Sequence, residues 1–470
     1  MANLLITCSG PGTRSTGYTK FHKALIRVGN CAVIDHIINS YTDIDTIYIT
    51  LGFEGDRVRE YIEHVGYDNV EFIEIENWQT NQIASFQQIP RHVFDKPFYY
   101  NACDNWTTRI PPPTGNTYYT CRPDASELYD MDGDRVYGGI AYIQDSEQYY
   151  NILQSAKITR NDLLLYQQLD QLHACELEDW HDVGNNSSYE HSIQQHKDEF
   201  NVLDKTHQEV YKTRGRVIKL FEDKPQIDFD NVGFPHPQPV LQTANAISYN
   251  FVEGRVNPYN GDFQRLQWSL LQMWNFCIAN NSRVYNTELW QDKTWQRFNM
   301  MIHQVPEFAQ PIVLNGVEID PTRVIESLPW DTIYSGIQGP THGDLVLDNI
   351  VVDKQSIYYI DHRQGTVKDI FYDVGKFYHS LYLHNHNLAH AWHLTQTDNS
   401  YTIKLDLSEY DQIRIEEFQG TPLYEHSAKK IELCVGCIWL SMAPLNVDQK
   451  LNKFLFLLAM QKFGEYNELL

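Results

Sequence analysis

The sequence predicts two modules of different class: an α/β module with a mostly parallel sheet over residues 1–197, then an α+β module over residues 198–470. Three observations predict this division. Short β-branched runs alternate with helical patterns through about residue 150. A polar stretch, Asn185-Asn186-Ser187-Ser188-Tyr189-Glu190-His191-Ser192, running on to Glu199, then breaks the pattern. Beyond it come successive β runs and, from about residue 260, a mainly helical chain rich in Trp, Tyr and His. The length of 470 residues agrees, at about 150 per domain, with two to three domains.

The elements follow in order. Leu4–Cys8 reads as the first strand, and Ala32–Tyr41 as a helix with Val33, Ile34, Ile37 and Ile38 on one face. Thr46–Leu51 is the second strand, Asp56–Val65 the second helix and Val70–Ile75 the third strand. Phe98–Cys103 is the fourth and ends on Asp104. A parallel sheet built this way binds ligands at the carboxyl ends of its strands. After the polar stretch, Phe200–Leu203, Glu209–Thr213 and Arg216–Phe221 read as three antiparallel strands, the last two joined by a tight Arg-Gly turn. A short β segment around Ile350–Ile360 interrupts the helical remainder.

Charge narrows the partners. With 37 Lys+Arg against 61 Asp+Glu the formal charge is −24, which argues against nucleic acid and against an anionic membrane surface. Small phosphorylated ligands remain compatible, held by a few cations, backbone N–H groups and magnesium. The N-terminal residues lack the basic and apolar regions of a secretory signal, and the longest apolar run, Phe454–Met460, is far too short to span a bilayer. Eight cysteines over this length do not make a disulfide framework, so a cytoplasmic location is expected. Cys434 and Cys437 have CxxC spacing but sit in an apolar helical pattern, which predicts helix core. The oligomeric state is left open.

The first strand runs into Cys8-Ser9-Gly10-Pro11-Gly12-Thr13-Arg14, with Lys20 and Lys23 close behind. Glycines at such a turn let successive N–H groups approach a phosphate chain, while Arg14 can fork onto phosphate oxygens and Lys23 supplies a point charge. A tight βα turn with solvated cations would need the same residues.

The wider pattern resembles the sugar-1-phosphate and phosphocholine nucleotidyltransferases. The likeness runs through Lys23-Ala-Leu-Ile-Arg-Val-Gly-Asn30, Val33-Ile-Asp-His-Ile-Ile38, Asn77-Trp-Gln-Thr-Asn-Gln-Ile-Ala-Ser85, Tyr99-Tyr-Asn-Ala-Cys-Asp104, Val136-Tyr-Gly-Gly-Ile140 and Trp180-His-Asp-Val-Gly184. It implies a Rossmann-like module in which Asp104 and Asp182 hold Mg²⁺, while Lys23 and Arg14 act in catalysis. The nucleotide would contact Ser9, Gly10, Gly12, Thr13, Asn81 and Ser85. Tyr137 and Gly139 would lie on the acceptor side. Ser9, Ser15 and His22 depart from the family's usual Gly, Leu and Pro, and none of these departures removes a charge.

Further on, Thr341-His342-Gly343-Asp344 is followed by Asn349 and by Tyr358-Tyr-Ile-Asp361. This resembles the catalytic loop of the choline kinase and aminoglycoside phosphotransferase family, relatives of the protein kinases. The likeness implies a bilobal protein-kinase-like module, with a small lobe at about 198–254 and a helical lobe at about 255–470. Asp344 would take the proton of a substrate hydroxyl, and Asn349 and Asp361 would hold the Mg²⁺ of ATP. His342 and Asp373 would be structural. Lys219 and Lys212 compete for the strand-borne lysine of ATP binding, and Ser248–Gly254, including Glu253, resembles the interlobe hinge. No glycine-rich loop occupies residues 200–212, and no helix-borne Glu partner for the lysine is identified.

The pair of resemblances implies a bifunctional enzyme that phosphorylates a small hydroxylated compound with ATP and then transfers NMP from an NTP to that phosphate. The product would be an activated precursor for surface polysaccharide or lipid. CTP with a choline-like or polyol acceptor is the first expectation, and a sugar with UTP or GTP the second. The alternative is an active nucleotidyltransferase carrying a degenerate kinase-like scaffold. His384, His386, His390 and His393 read as a substrate-side helix rather than a metal site, and Trp268, Trp274, Trp392 and Trp439 as core rather than a cation box.

Overall fold

The computed structural model describes residues 1–12, 17–121, 131–132, 135–157, 162–196, 208–223, 234–258, 261–363 and 369–466. The expected strand Phe200–Leu203, together with Thr13 and Arg14, lies outside them. The chain divides into two compact units. One comprises Met1–Pro225 and Gln238–Phe251, the other Gln226–Pro237 and Val252–Leu470.

The first unit is built on a mixed sheet. The strands along its main path are β1 (Ala2–Cys8), β2 (Ile44–Leu51), β3 (Val70–Glu74), β4 (Phe98–Ala102), β6 (Thr117–Cys121), β7 (Arg135–Ile143) and β8 (His173–Glu176), and a further short strand, Met131–Asp132, pairs with β7 off that path. Between β4 and β6 comes β5 (Asn105–Trp106), which stands outside this sheet. The order β8-β6-β7-β4-β1-β2-β3 pairs β1 with β2 and β4, β2 with β3, and β6 with β8 in parallel, while β7 runs antiparallel to both neighbours. Helix α1 (Val33–Asn39) buries Val33, Ile34, Ile37 and Ile38, the stripe its apolar spacing requires. Helix α2 (Gly55–Val65) returns from β2 to β3 with Val58, Tyr61, Ile62 and Val65 inward. Chain direction reverses about β1: β2 and β3 lie on one side, β4 on the other. The crevice at the carboxyl ends of β1 and β4 is therefore a topological switch point. Ser9-Gly10 leave one lip and Asp104 the other.

A second small sheet belongs to this same unit. Strands β10 (Gln208–Thr213), β11 (Arg216–Phe221), β12 (Pro239–Gln242) and β13 (Ala246–Asn250) pair antiparallel in the order β10-β11-β13-β12. One apolar cluster unites Tyr211, Ile218, Leu220 and Ala246 with Leu4, Ile34, Val58 and Tyr61. Tyr211 donates its hydroxyl to the Leu25 carbonyl at 2.7 Å, and its ring meets Tyr61 edge-on at 4.8 Å. The unit therefore continues past the boundary drawn at residue 197. The polar stretch does not end its core, because α5 (Asn186–Gln195) and the small sheet both pack back onto it.

The second unit is mainly helical. Helices α6 (Gly261–Asn280), α7 (Ile370–Tyr382), α8 (Pro422–Met442) and α9 (Gln449–Tyr466) carry its core. A hairpin of β14 (Ile350–Val352) and β15 (Ile357–Tyr359) supplies the expected β segment. Cys434 and Cys437 are buried in α8. Trp274 and Trp439 are core, Trp392 stacks on Phe454 at 4.9 Å, and Trp268 departs from expectation by being 65% exposed. The four histidines do not share a helix. That helix covers Asn385–His390, and His393 sits on a strand, Trp392–Thr397, where it pairs with Asp406. Among the described residues no helix is long and apolar enough to cross a membrane.

Tyr211→Ala should destabilise the first unit by about 3–5 kcal/mol in denaturant titrations, the range for truncating a fully buried aromatic. A loss below about 1 kcal/mol would mean that the small sheet is not part of this core.

Candidate active site

Two two-residue strands bring the predicted metal-binding aspartates together. β5 pairs antiparallel with β9 (His181–Asp182), setting Asp182 opposite Asn105, and the Val183 N–H donates to the Asp104 carbonyl at 2.8 Å. Both carboxylates consequently face Gly184. A Cβ placed there would lie 3.0 Å from Asp182 Oδ1 and 3.2 Å from Asp104 Oδ2. Two carboxylates converging on one point repel unless a cation stands between or beside them. Lys23 supplies one such charge, with Nζ 2.7 Å from Asp104 Oδ2. Burial works against the Lys23 charge, but the Asp104 carboxylate overrides it and holds the ammonium above the ordinary lysine range.

The surroundings fix this pair. Asn105 donates to Asp104 Oδ1 at 3.4 Å, and Asn185 to Asp182 Oδ2 at 3.5 Å. Gly139 sits at φ +70° where β7 changes register, and a Cβ on it would fall 2.4 Å from Asn105 Nδ2. Only glycine lets β7 run this close to the residue beside Asp104. Tyr137 is buried in a tyrosine-rich core, with its hydroxyl donating to Asp162 at 3.1 Å.

The turn after β1 is anchored at Ser9 and Gly10. The Ser9 carbonyl accepts from the Phe53 N–H at 3.0 Å, and the Gly10 carbonyl lies 3.1 Å from His22 Nε2. His22 Nδ1 accepts the Ala24 N–H, which assigns the proton to Nε2. Burial, reinforced by the Lys23 charge, lowers the pKa of His22 to about 4. This neutral imidazole stands where the resembled family has Pro, and its part in the loop was not legible from the sequence. Gly12 adopts φ +57°. Asn81 caps the helix α3 (Gln82–Phe86) by accepting the Ala84 N–H at 2.8 Å, and Ser85 donates to the Asn81 carbonyl.

In the second unit the residues of the expected catalytic loop are held together by hydrogen bonds. Asp373 on α7 accepts the N–H groups of His342 and of Gly343, the latter at 2.9 Å. Burial pushes Asp373 up to about 7. Gly343 has φ +77°, and a Cβ there would meet the Arg363 carbonyl at 2.5 Å. His342 is fully buried and accepts the Asp344 N–H on Nδ1. Asn349 donates Nδ2 to the Asp344 carbonyl at 2.9 Å, leaving its amide oxygen as the atom a cation would take. Asp361 follows β15 with φ +62°. Two residues that sequence reasoning missed flank Asp344: Arg363 lies 3.0 Å from Oδ2 and Lys376 lies 3.0 Å from Oδ1. The spacing of Lys376, one helical turn beyond Asp373, was a usable signal.

Lys212 and Lys219 lie in the first unit, on β10 and β11, and Glu253 is exposed in the second. Lys219 is buried beside the Tyr249 ring, whereas Lys212 is half-buried over Phe251 at 3.7 Å.

Neither carboxylate group is a complete metal cage. Among the described residues no cluster of three or more His, Cys, Asp or Glu could hold a metal. Two convergent carboxylates fit Mg²⁺, which keeps several waters and takes substrate phosphate oxygens.

No protein-family model and no curated protein matches the chain. Among solved structures it is similar to the CTP:phosphocholine cytidylyltransferase from Streptococcus pneumoniae, at 16% identity over 41% of this chain and 98% of that one, with a TM-score of 0.35. It is also similar to the inositol-1-phosphate CTP transferase from T. maritima, at 13% identity over 43% and 98%, with a TM-score of 0.34. A third is HddC from Yersinia pseudotuberculosis, at 14% over 42% and 100%, also with a TM-score of 0.34.

Gly184→Ala would put a methyl group between the two carboxylates. It should weaken Mg²⁺ binding about tenfold or more by titration calorimetry, while stability changes by less than about 1 kcal/mol. Unaltered binding would separate Gly184 from the metal position.

Proposed function

We propose that the chain is a bifunctional transferase, with nucleotidyl transfer at Asp104, Asp182 and Lys23 and ATP-dependent phosphorylation at Asp344, Asn349 and Asp361. The observation that carries the first half is the convergence of Asp104 and Asp182 on one point beside Gly184, with Lys23 on Asp104. Asp104 and Asp182 would hold Mg²⁺, which neutralises the α-phosphate of an NTP when bound. Lys23 would steady the acceptor phosphate against that α-phosphate, and the loop N–H groups with Arg14 would receive the departing pyrophosphate. A phosphate oxygen of the acceptor bonds to the α-phosphorus as its bond to the bridging oxygen breaks, so no proton need be removed. CTP with a choline-like or polyol phosphate is the preferred pair.

The second half rests on the catalytic loop as one hydrogen-bonded piece. Asp373 fixes its backbone and Asn349 ties back to Asp344. Asn349 and Asp361 would hold the Mg²⁺ of ATP. Asp344 receives the proton of an acceptor hydroxyl as the oxygen bonds to the γ-phosphorus and ADP leaves. The product of this step, a phosphate monoester, is the acceptor the first site needs. The two activities therefore form consecutive steps toward a nucleotide-activated precursor of surface polysaccharide or lipid.

Asp104→Asn should lower pyrophosphate release at least about 10²-fold and spare ATP-dependent phosphorylation, and Asp344→Asn should do the reverse. A variant that lost neither activity would refute the corresponding assignment.

A further inference from the structure

Asp344 carries two cations of unlike character. Lys376 on Oδ1 has a side chain only 11% exposed, whereas Arg363 on Oδ2 is 62% exposed. A buried ammonium is costly unless paired, so the Lys376 contact is a fixed part of the fold. An exposed guanidinium contributes little and can leave its partner cheaply. The catalytic segment itself, Asp344-Leu-Val-Leu-Asp-Asn349, contains no Lys or Arg. The buried positive charge beside its carboxylate comes from helix α7. One turn of that helix does two tasks, because Asp373 holds the loop backbone and Lys376 holds the Asp344 side chain.

We propose that Lys376 is a positioning residue of the phosphotransferase centre: it locks Oδ1 of Asp344, leaving Oδ2, covered at rest by Arg363, as the oxygen that receives the acceptor's proton. This rests on the phosphotransferase reading. Burial works against the Lys376 charge, and the Asp344 carboxylate more than offsets it, so the ammonium stays protonated and takes no proton from substrate. In the step, the hydroxyl oxygen bonds to the γ-phosphorus, its proton passes to Oδ2, and the bond to the bridging oxygen breaks to release ADP. Arg363 vacates Oδ2 for the hydroxyl. Lys376 touches neither reactant and acts through the aim of the carboxylate, which must hold to within a fraction of an ångström.

The test uses the full chain with Mg·ATP and with choline, glycerol and ribitol as acceptors, read by ADP release. Lys376→Met should lower kcat about 10²-fold and leave KM for ATP within about threefold. In the Asp344→Asn background the same change should cost less than about threefold further, because its only route of action has been removed. That double variant also leaves no unpaired carboxylate, so it reads the coupling even if Lys376→Met alone does not fold. A wild-type kcat in Lys376→Met, a loss confined to KM, or losses that multiply in the double variant would overturn the inference alone. Absence of ADP release by the wild-type chain with every acceptor would overturn the phosphotransferase reading, and this inference with it.

Discussion

Mutual repulsion between two carboxylates is the constraint on which the first site depends. Asp104 and Asp182 are far apart in sequence and are forced together by a pair of two-residue strands. Two unit charges this close in a partly buried site oppose each other by several kcal/mol unless neutralised. The fold answers with Lys23 on Asp104, and the proposed Mg²⁺ would add further neutralisation. The neighbouring features serve that juxtaposition. Gly184 leaves space between the carboxylates, Gly139 lets β7 approach Asn105, and His22 steadies the loop opposite them.

The same logic makes the net acidity compatible with the proposed polyphosphate substrates. A formal charge of −24 repels phosphate in bulk, but binding is decided within a few ångströms, where buried cations dominate. Lys23 and Lys376 are each buried against one aspartate, and each is held charged by it. In both units a lysine is thus paired with the aspartate to which the proposal gives a role in the chemistry.

Much of the fold was legible. The strands and helices through β4 follow from β-branched runs and helical spacing, because their apolar residues are divided between two buried clusters. The Asp104–Asp182 pairing was legible only through resemblance, since two-residue strands carry no periodic signal. The placement of the small sheet was not legible at all. Composition marks the polar stretch before it, yet that stretch packs on the first unit, and only the buried faces of Tyr211 and Ile218 reveal the attachment. The burial of Tyr137 against Asp162 was not legible either. A strand motif gives the residue but not the side of the sheet, and a register change at Gly139 intervenes. Arg363 escaped because an ion pair between two loop residues leaves no trace in local pattern, whereas Lys376 carried a signal in its spacing from Asp373.

The central claim is that the crevice between β1 and β4 is a magnesium-dependent nucleotidyl-transfer site. The most direct measurement screens the four common NTPs against phosphorylated choline, polyols and sugars, reading pyrophosphate release with and without Mg²⁺. The account predicts release for one nucleotide–acceptor combination, CTP with phosphocholine or a polyol phosphate first, and loss of release without Mg²⁺. Release that persists without a divalent ion, or none with any combination at saturating Mg²⁺, would contradict it.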